Sequence, residues 1–183
     1  SGAAAILGTG AALDGSANAY MDMGTSSTLD LSGAFTLSAW FKKTAYTGNY
    51  EVLMSKCSVP ACNYELALDG PNHDLEGIQN GTVVESGVVP ALNQWHHAVE
   101  TSDGTHLYFY LDGVLVHTAA AGTGNTIPGT HFDLGREQLS GENLSGIVNE
   151  ARLSKIARSA GWIATEYSNQ NNPSGFYNLS AEQ

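Results

Sequence analysis

The sequence predicts an all-β fold, an antiparallel β-sandwich with one short C-terminal helix. Residues 93–118 alternate apolar and polar side chains around two Asp-Gly pairs, a pattern typical of antiparallel strands joined by tight turns. Similar short runs recur along the chain, which contains 21 glycines and only 5 prolines. Only residues 159–169 show a helical pattern, which begins at Ser159, a residue type favoured at helix N-caps. Many strands followed by one late helix indicate two packed sheets.

Each predicted strand is a short apolar or alternating run bounded by turn-forming residues. Residues 35–41 place Phe35 and Leu37 on one face of a strand and Trp40 on the other. Asn80-Gly81 predicts a tight hairpin between two of the strands. In chain order, the predicted strands are residues 20–23, 29–31, 35–41, 52–55, 64–68, 75–79, 82–88, 94–101, 106–112, 114–116, 132–135 and 147–153.

Length and charge limit the possible functions. The 183 residues are expected to form a single domain over residues 1–183. The formal net charge is −11, and seven Lys and Arg are too few to neutralise a nucleic-acid backbone, so no nucleic-acid partner is expected. No run approaches the roughly 18 apolar residues of a membrane-spanning helix, so no membrane insertion is expected. Residues 3–7 are apolar but lack the length and the basic flank of a signal peptide.

Cys57 and Cys62 are the only cysteines, and Ser-Val-Pro-Ala separates them. The spacing differs from that of a redox C-x-x-C motif, and two cysteines are too few for a zinc site. We expect a local disulfide, which would stabilise the fold by about 2 kcal/mol. Because disulfides persist in oxidising compartments, this predicts a secreted, extracellular protein. The alternative is a pair of reduced cysteines in a loop.

Four segments resemble the laminin-G-like domains of the concanavalin A-like lectin/glucanase superfamily. Residues 95–116, WHHAVETSDGTHLYFYLDGVLV, are similar to the W-x-H-V-A…D-G-x-x-L-x-L-Y-x-(N/D)-G hairpin of that family, and residues 35–40, FTLSAW, match its F-T-L-S-A-W segment. Residues 12–20 are similar to the opening F-D-G-S-x-x-x-Y, and residues 146–154, GIVNEARLS, to the closing G-x-I-D-E-V-R-I-Y strand. The resemblance implies a jelly roll of two curved antiparallel sheets, a fold commonly used to hold carbohydrate.

Catalysis is not expected from this sequence. Glycoside hydrolysis needs two carboxyl groups that face the scissile bond. The resemblance implies that a glucanase of this fold would carry them on one strand as E-x-D-x-x-E, and no such run occurs. The motifs G-x-S-x-G and H-E-x-x-H are absent as well. A divergent polysaccharide lyase or glycoside hydrolase is the less favoured alternative.

A sugar site is expected on outward aromatic rings, because sugars stack on such rings and bond to fixed polar groups. Alternation places Tyr108 and Tyr110 opposite the core-facing residues of their strand, and the same outer face could hold polar residues of the neighbouring strand. The predicted ligand-binding residues are Trp40, His96, Glu100, Tyr108, Tyr110 and Arg136. One alternative is that these are ordinary strand residues covered by loops. The competing location is a rim of loop residues, namely Tyr46, Tyr50, Arg136 and Glu137.

A structural calcium is implied by the resemblance, since relatives often hold one between the opening segment and the final strand. The matching positions are Asp14 and Asn149, where Asn149 replaces the more usual aspartate. Both offer the oxygen ligands that Ca²⁺ prefers. The acidic loop with Asp69, Asn72, Asp74 and Glu76 is another candidate calcium site, but its spacing is not that of an EF-hand, and a hairpin turn is the preferred interpretation.

The predicted function is that of a non-catalytic carbohydrate-binding module. Its partner would be a polysaccharide or glycan, its cofactor a structural calcium, and its context the other domains of a larger secreted or surface protein. An extracellular adhesion or structural domain that binds protein is the alternative from another class, because this fold does not determine function.

Overall fold

The computed structural model describes residues 2–58, 61–122, 126–138 and 141–175, and in them thirteen strands form two antiparallel sheets. None of the described helices has the length and apolar character needed to cross a membrane. The strands are β1 (Gly2–Ala4), β2 (Thr9–Asp14), β3 (Met21–Asp22), β4 (Phe35–Lys42), β5 (Glu51–Ser58), β6 (Ala61–Leu68), β7 (Leu75–Gln79), β8 (Thr82–Glu85), β9 (Trp95–Ser102), β10 (His106–Leu111), β11 (Val114–Ala120), β12 (Asp133–Leu134) and β13 (Ser145–Ser154). Helix α1 is Ala160–Asn171, and 3₁₀ turns cover Ser27–Leu29 and Pro173–Gly175.

The two sheets pack face to face around one apolar core, which confirms the predicted β-sandwich with a late helix. The first sheet has the strand order β1-β2-β13-β4-β9-β10-β11, and the second sheet has the order β3-β12-β5-β6-β7-β8. Both sheets contribute large apolar side chains to this core, among them Phe35, Leu37, Phe41, Leu107 and Phe109 from the first and Met54, Tyr64, Leu66 and Leu75 from the second. Each sheet therefore has one inner face and one outer face.

The hairpin turns follow the predicted turn chemistry. Asn80 and Gly81 both have positive φ (48° and 78°), as do Asp112 and Gly113 (53° and 78°), which is the geometry of tight two-residue hairpins. The turn between β9 and β10 is one residue longer, and the Asp103 carboxylate caps it by accepting the N–H of Thr105 at 2.8 Å.

Two segments differ from the sequence-based expectation. Strands β1 and β2 were not predicted, because their Ala- and Gly-rich sequence has little strand preference and depends on pairing with β13. Gly10 permits this close pairing, since a Cβ there would lie 2.8 Å from the carbonyl oxygen of Val148. The strand predicted at residues 29–31 is wrong, because Ser27–Leu29 forms a 3₁₀ turn that Ser26 caps.

Helix α1 covers the outer face of the first sheet. The Ser159 hydroxyl accepts the N–H of Trp162 at 3.3 Å, which confirms Ser159 as the N-cap. Ile163 is fully buried against Val99 and Tyr110, both of which belong to the sheet. The helix therefore docks through an apolar contact with β9 and β10.

A bulge in β13 adds a polar anchor for α1. Glu150 has a φ of 51°, and the pairing with β4 shifts between Asn149 and Arg152. The Arg152 guanidinium bonds to the carboxylate of Glu166 on α1 and, at 2.6 Å, to that of Glu150. The bulge and the helix are thus joined by one arginine.

Ile163→Ala should destabilise the protein by about 2–5 kcal/mol, because the substitution leaves a cavity under α1. The measurement is the free energy of unfolding from urea titrations. Ile156→Ala is the matched control, since Ile156 is 52% exposed and its truncation should cost less than about 0.5 kcal/mol. Equal losses in the two variants would contradict the docking of α1.

Candidate functional site

The predicted aromatic face lies beneath α1 and is not open to a ligand. Trp40 is completely buried, its ring stacks on Tyr167 with centroids 5.5 Å apart, and its indole N–H donates to Gln170 Oε1. Tyr110 is 5% exposed, and the hydroxyl of half-buried Tyr108 donates to Asp103 Oδ2 at 3.0 Å. The prediction that these rings form an accessible platform is wrong, because they form the surface on which α1 packs.

Glu100 and His96 point into the sandwich rather than toward the tyrosines. Residues directly opposite each other in an antiparallel pair share a face, and Glu100 lies opposite the core residue Phe109. His96 lies opposite Phe41 in the same way. Assigning both to the outer face was an error, because polar residues occupy inward positions of β9.

The contacts of His96 indicate a structural role. Its Nδ1 bonds to Asp112 Oδ2 at 2.7 Å, and its Nε2 bonds to the carbonyl oxygen of Ala91 at 3.0 Å. The bond to Asp112 raises the pKa of His96 despite its burial. Asp112 also accepts the backbone N–H of His97 at 2.9 Å, so this pair ties the β10–β11 turn to the start of β9.

Glu100 is fully buried, and neither of its carboxyl oxygens has a hydrogen-bond partner in the described residues. Gly77 makes room for it, since a Cβ there would lie 2.6 Å from Glu100 Oε2 and 2.5 Å from the Phe109 ring. Burial, followed by the negative charges of Glu65 and Glu76, raises the pKa of Glu100 well above its usual value of 4.5. Glu100 therefore keeps its proton to a higher pH than an exposed glutamate does.

Arg136 lies at the second sheet, far from the rings with which it was grouped. Its Nε donates to Asp133 Oδ2 at 2.8 Å, and its guanidinium covers the ring of Tyr20 at 3.2 Å from the centroid. Its carbonyl oxygen accepts the Ser55 hydroxyl at 3.0 Å. The structure therefore brings Trp40, Tyr108 and Tyr110 together on one outer face and places Arg136 beside the other.

The structure does not bring Asp14 and Asn149 together. Asp14 pairs with Ser145, four residues before Asn149 on β13, so the two residues are about 13 Å apart. Asp14 Oδ1 accepts the N–H of Ser16, and Asn149 Oδ1 accepts that of Leu7. At that separation the two side chains do not meet at one site, and each bonds to nearby backbone.

Cys57 and Cys62 form the predicted disulfide. The two residues face each other in the ladder between β5 and β6, so the bond links neighbouring strands of the second sheet. This disulfide is buried at the edge of a row of acids on the outer face of the second sheet.

The outer face of the second sheet carries a row of acids, which we call the acidic face. Tyr64, Leu66 and Leu75 point into the core, so the alternating positions Glu65 and Glu76 point away from it. The acidic face consists of Asp133 on β12, Glu65 on β6, Glu76 on β7 and Glu85 on β8.

Two of these acids hold protons unusually tightly. Burial raises the pKa of Glu65 well above 4.5, and the nearby Glu142, Glu76 and Glu137 raise it further. Burial and the adjacent charges of Asp69 and Glu85 raise the pKa of Glu76 to about 8. One oxygen of each carboxyl is buried without a hydrogen-bond partner in the described part of the chain.

A pocket of about 340 Å³ opens on the acidic face. Its apolar lining comes from Ile78, Val83 and the disulfide, and Tyr50 contributes an aromatic ring. The Tyr50 side chain is half-buried, and burial, together with a hydrogen bond to Asp69, raises its pKa to about 12. The polar lining consists of Glu65, Glu76, Glu137 and Glu142. The pocket therefore combines a ring, an apolar floor and several carboxyl groups.

Sequence reasoning found part of this pocket. Tyr50 and Glu137 were named as the competing rim location, whereas Glu65 and Glu76 were not singled out as site residues. The available signal was an acid flanked by core-facing apolar residues on two adjacent strands, in Tyr-Glu-Leu and Leu-Glu-Gly-Ile. Such acids must lie on one outer face if both strands belong to the same sheet.

Besides the disulfide-bonded Cys57 and Cys62 with Glu65, two groups near this face place metal-ligating atoms within 4.8 Å of one another. The first is Asp69, Glu76 and Glu85, and the second is Asp22, His131 and Asp133. In the second group His131 Nδ1 bonds to Asp22 at 2.8 Å, while Arg136 already neutralises Asp133.

Comparison with known proteins identifies relatives by family and by fold. The profile of the family described as the concanavalin A-like lectin/glucanases superfamily matches residues 14–164. No curated protein matches the sequence closely enough to count as a relative.

Among solved structures, the chain is similar to domain 4 of AbnA, a GH43 extracellular arabinanase from Geobacillus stearothermophilus, in complex with arabinotriose. The identity is 18%, the match covers 90% of this chain and 79% of that chain, and the TM-score is 0.72. A native heptameric SAP-like pentraxin from Limulus polyphemus matches at 16% identity over 90% and 84% of the two chains, with a TM-score of 0.69. The binding domain of Paraclostridial Mosquitocidal Protein 1 matches at 11% identity over 91% of this chain and 45% of that chain, with a TM-score of 0.70. At these identities the similarity shows a shared fold.

Stability should fall as pH rises above 4.5, because folded Glu100 keeps a proton that the unfolded chain releases. Each such group adds a slope of up to about 1.4 kcal/mol per pH unit. Glu100→Gln should therefore flatten the dependence of the free energy of unfolding on pH between pH 5 and pH 8, and raise stability at pH 7. Urea titrations at each pH measure this slope. Glu150→Gln controls for loss of a partly exposed glutamate, and an unchanged slope in Glu100→Gln would contradict a neutral Glu100.

Proposed function

The chain belongs to the concanavalin A-like lectin/glucanase superfamily, and we propose that it is a non-catalytic carbohydrate-binding module whose ligand site is the pocket on the acidic face. The proposal goes beyond membership, because the superfamily contains both binding modules and enzymes. The observation that carries it is the pocket itself, in which a tyrosine ring and apolar side chains lie beside hydrogen-bonding carboxyl groups.

The position of the pocket supports this proposal. A sandwich has two outer faces, and α1 covers the central strands of the first sheet. The second sheet keeps its outer face available around Tyr50, Ile78 and Val83. A ring with flanking apolar side chains suits the C–H face of a sugar, and fixed carboxyl groups suit its hydroxyls.

The charge of the site favours uncharged sugars. Deprotonated carboxyls accept hydrogen bonds from hydroxyl groups, and a carboxyl that is protonated can also donate one, a state that the raised pKa of Glu65 favours. A uronate or a sulfated sugar would be repelled by the net charge of −11 and by the acidic lining. A neutral polysaccharide is therefore the proposed ligand.

The arabinanase domain supports this choice of ligand, because arabinotriose is a neutral oligosaccharide. We propose that this chain likewise acts beside other domains of a secreted protein. The Cys57–Cys62 disulfide supports the proposal of secretion, since such bonds persist in oxidising compartments.

Glycoside hydrolysis is the second candidate, and Glu65 and Glu76 are the observation that favours it. The absence of E-x-D-x-x-E on one strand did not exclude two acids on adjacent strands. Hydrolysis, however, needs one protonated and one ionised carboxyl group. The pKa values of Glu65 and Glu76 are both raised, so these two acids lack that division of roles.

Tyr50→Ala should weaken binding of a neutral polysaccharide by about tenfold or more, because one stacked ring contributes on the order of 1–2 kcal/mol. Affinity electrophoresis over a panel that includes arabinan identifies the ligand, and isothermal titration calorimetry with its oligosaccharide measures the loss. Tyr108→Ala is the matched control, since this tyrosine lies on the opposite sheet beside α1. A loss with Tyr108→Ala and none with Tyr50→Ala would place the site on the first sheet and refute the proposed pocket.

The isolated protein should release no reducing sugar from the polysaccharide that it binds. The measurement is a reducing-end assay over a day at pH 5 and pH 7. Product release that Glu65→Gln abolishes would establish hydrolysis and overturn the non-catalytic proposal.

A further inference from the structure

We infer that Asp69, Glu76 and Glu85 form a binding site for Ca²⁺ at the end of the acidic face. One ligand oxygen from each residue lies within 4.8 Å of the others. Since Ca²⁺ binds oxygen at about 2.3–2.6 Å, oxygens up to about 5 Å apart can share one ion. From the sequence, the loop with Asp69 and Glu76 is a candidate calcium site for which a hairpin turn is the preferred interpretation, and Glu85 is not part of it.

The sheet itself fixes the three carboxylates, which we call the carboxylate triad. Glu76 on β7 lies directly opposite Glu85 on β8 in the ladder. Asp69 follows the end of β6, and its N–H donates to the carbonyl oxygen of Asp74 just before β7 at 2.9 Å. The triad therefore sits on paired strands and one closed turn.

An unsatisfied carboxyl group points to a missing ligand. Glu76 is 2% exposed, and its Oε2 has no hydrogen-bond partner in the described residues. Asp69 is equally buried, and within that part of the chain no Lys, Arg or His forms an ion pair with any member of the triad. Buried acids without a counter-charge are costly, and a divalent cation would offset that cost.

The surroundings suit a hard, oxygen-preferring ion. Asn72 donates its side-chain N–H to Glu85 Oε2 at 3.5 Å and its backbone N–H to Asp69 Oδ2 at 2.6 Å, and these bonds orient the two carboxylates. Glu85 is exposed, so water can complete the six to eight oxygen ligands that Ca²⁺ takes. The Asp22–His131–Asp133 group is a poorer site, because Arg136 already supplies a positive charge to Asp133.

The inference does not rest on the proposed sugar site, although Glu76 lines both. It is tested with Ca²⁺ alone, in the absence of any glycan. The whole chain is treated with EDTA, dialysed, and titrated with CaCl₂ by isothermal titration calorimetry and by thermal unfolding. We expect saturable heat and a melting temperature that rises with Ca²⁺ concentration, because the ion binds only the folded state.

Glu85→Gln should lower the Ca²⁺ affinity by roughly tenfold or more, since it removes one of the three carboxylate ligands. Glu85 is exposed, so the variant should melt like wild type in EDTA. Asp14→Asn and Asp22→Asn are matched controls that also remove one exposed charge, and both should bind Ca²⁺ as wild type does. Wild type without heat or thermal shift, unchanged affinity in Glu85→Gln, or loss of binding in either control would each overturn the assignment.

Discussion

The docking of α1 on the first sheet determines what the rest of the molecule can do. Trp40, Tyr110 and Val99 would expose a large apolar surface if the helix were absent. Ile163 and Tyr167 cover that surface, and the Arg152–Glu166 pair fixes the helix in place. The helix thus covers the central strands of one outer face, while the outer face of the second sheet carries the acidic pocket.

The second constraint is the burial of acids on and beneath that second sheet. Glu100 lies inside the sandwich, next to Gly77, while Glu65 and Glu76 lie on the outer side. Their raised pKa values share one main cause, since each carboxyl group is removed from water, and neighbouring acids raise each pKa further. Low solvation keeps these groups neutral, or requires a cation beside them. The same strands therefore influence both the stability of the fold and the kind of ligand that the pocket can bind.

The sequence predicted the sandwich, the hairpins and the helix because period-2 alternation and Asn-Gly or Asp-Gly turns are local signals. The predictions were wrong where the structure depends on pairing between segments that are distant in the sequence. Strand β2 exists only beside β13, and the inward direction of Glu100 follows from its pairing with Phe109. The prediction of an exposed aromatic platform was wrong for the same reason, since the Trp40 indole N–H donates to Gln170, which is 130 residues away in the sequence. The rim residue Tyr50 could be predicted from the sequence because an aromatic residue in a loop is a local signal.

Charged side chains are placed unevenly across the thickness of the sandwich. Three of its seven basic residues, Arg152, Lys155 and Arg158, lie between the end of β13 and the start of α1, on the helix side. Most of the clustered carboxyl groups lie on the opposite sheet. Cations would therefore be concentrated at the acid-rich second sheet before any specific contact forms.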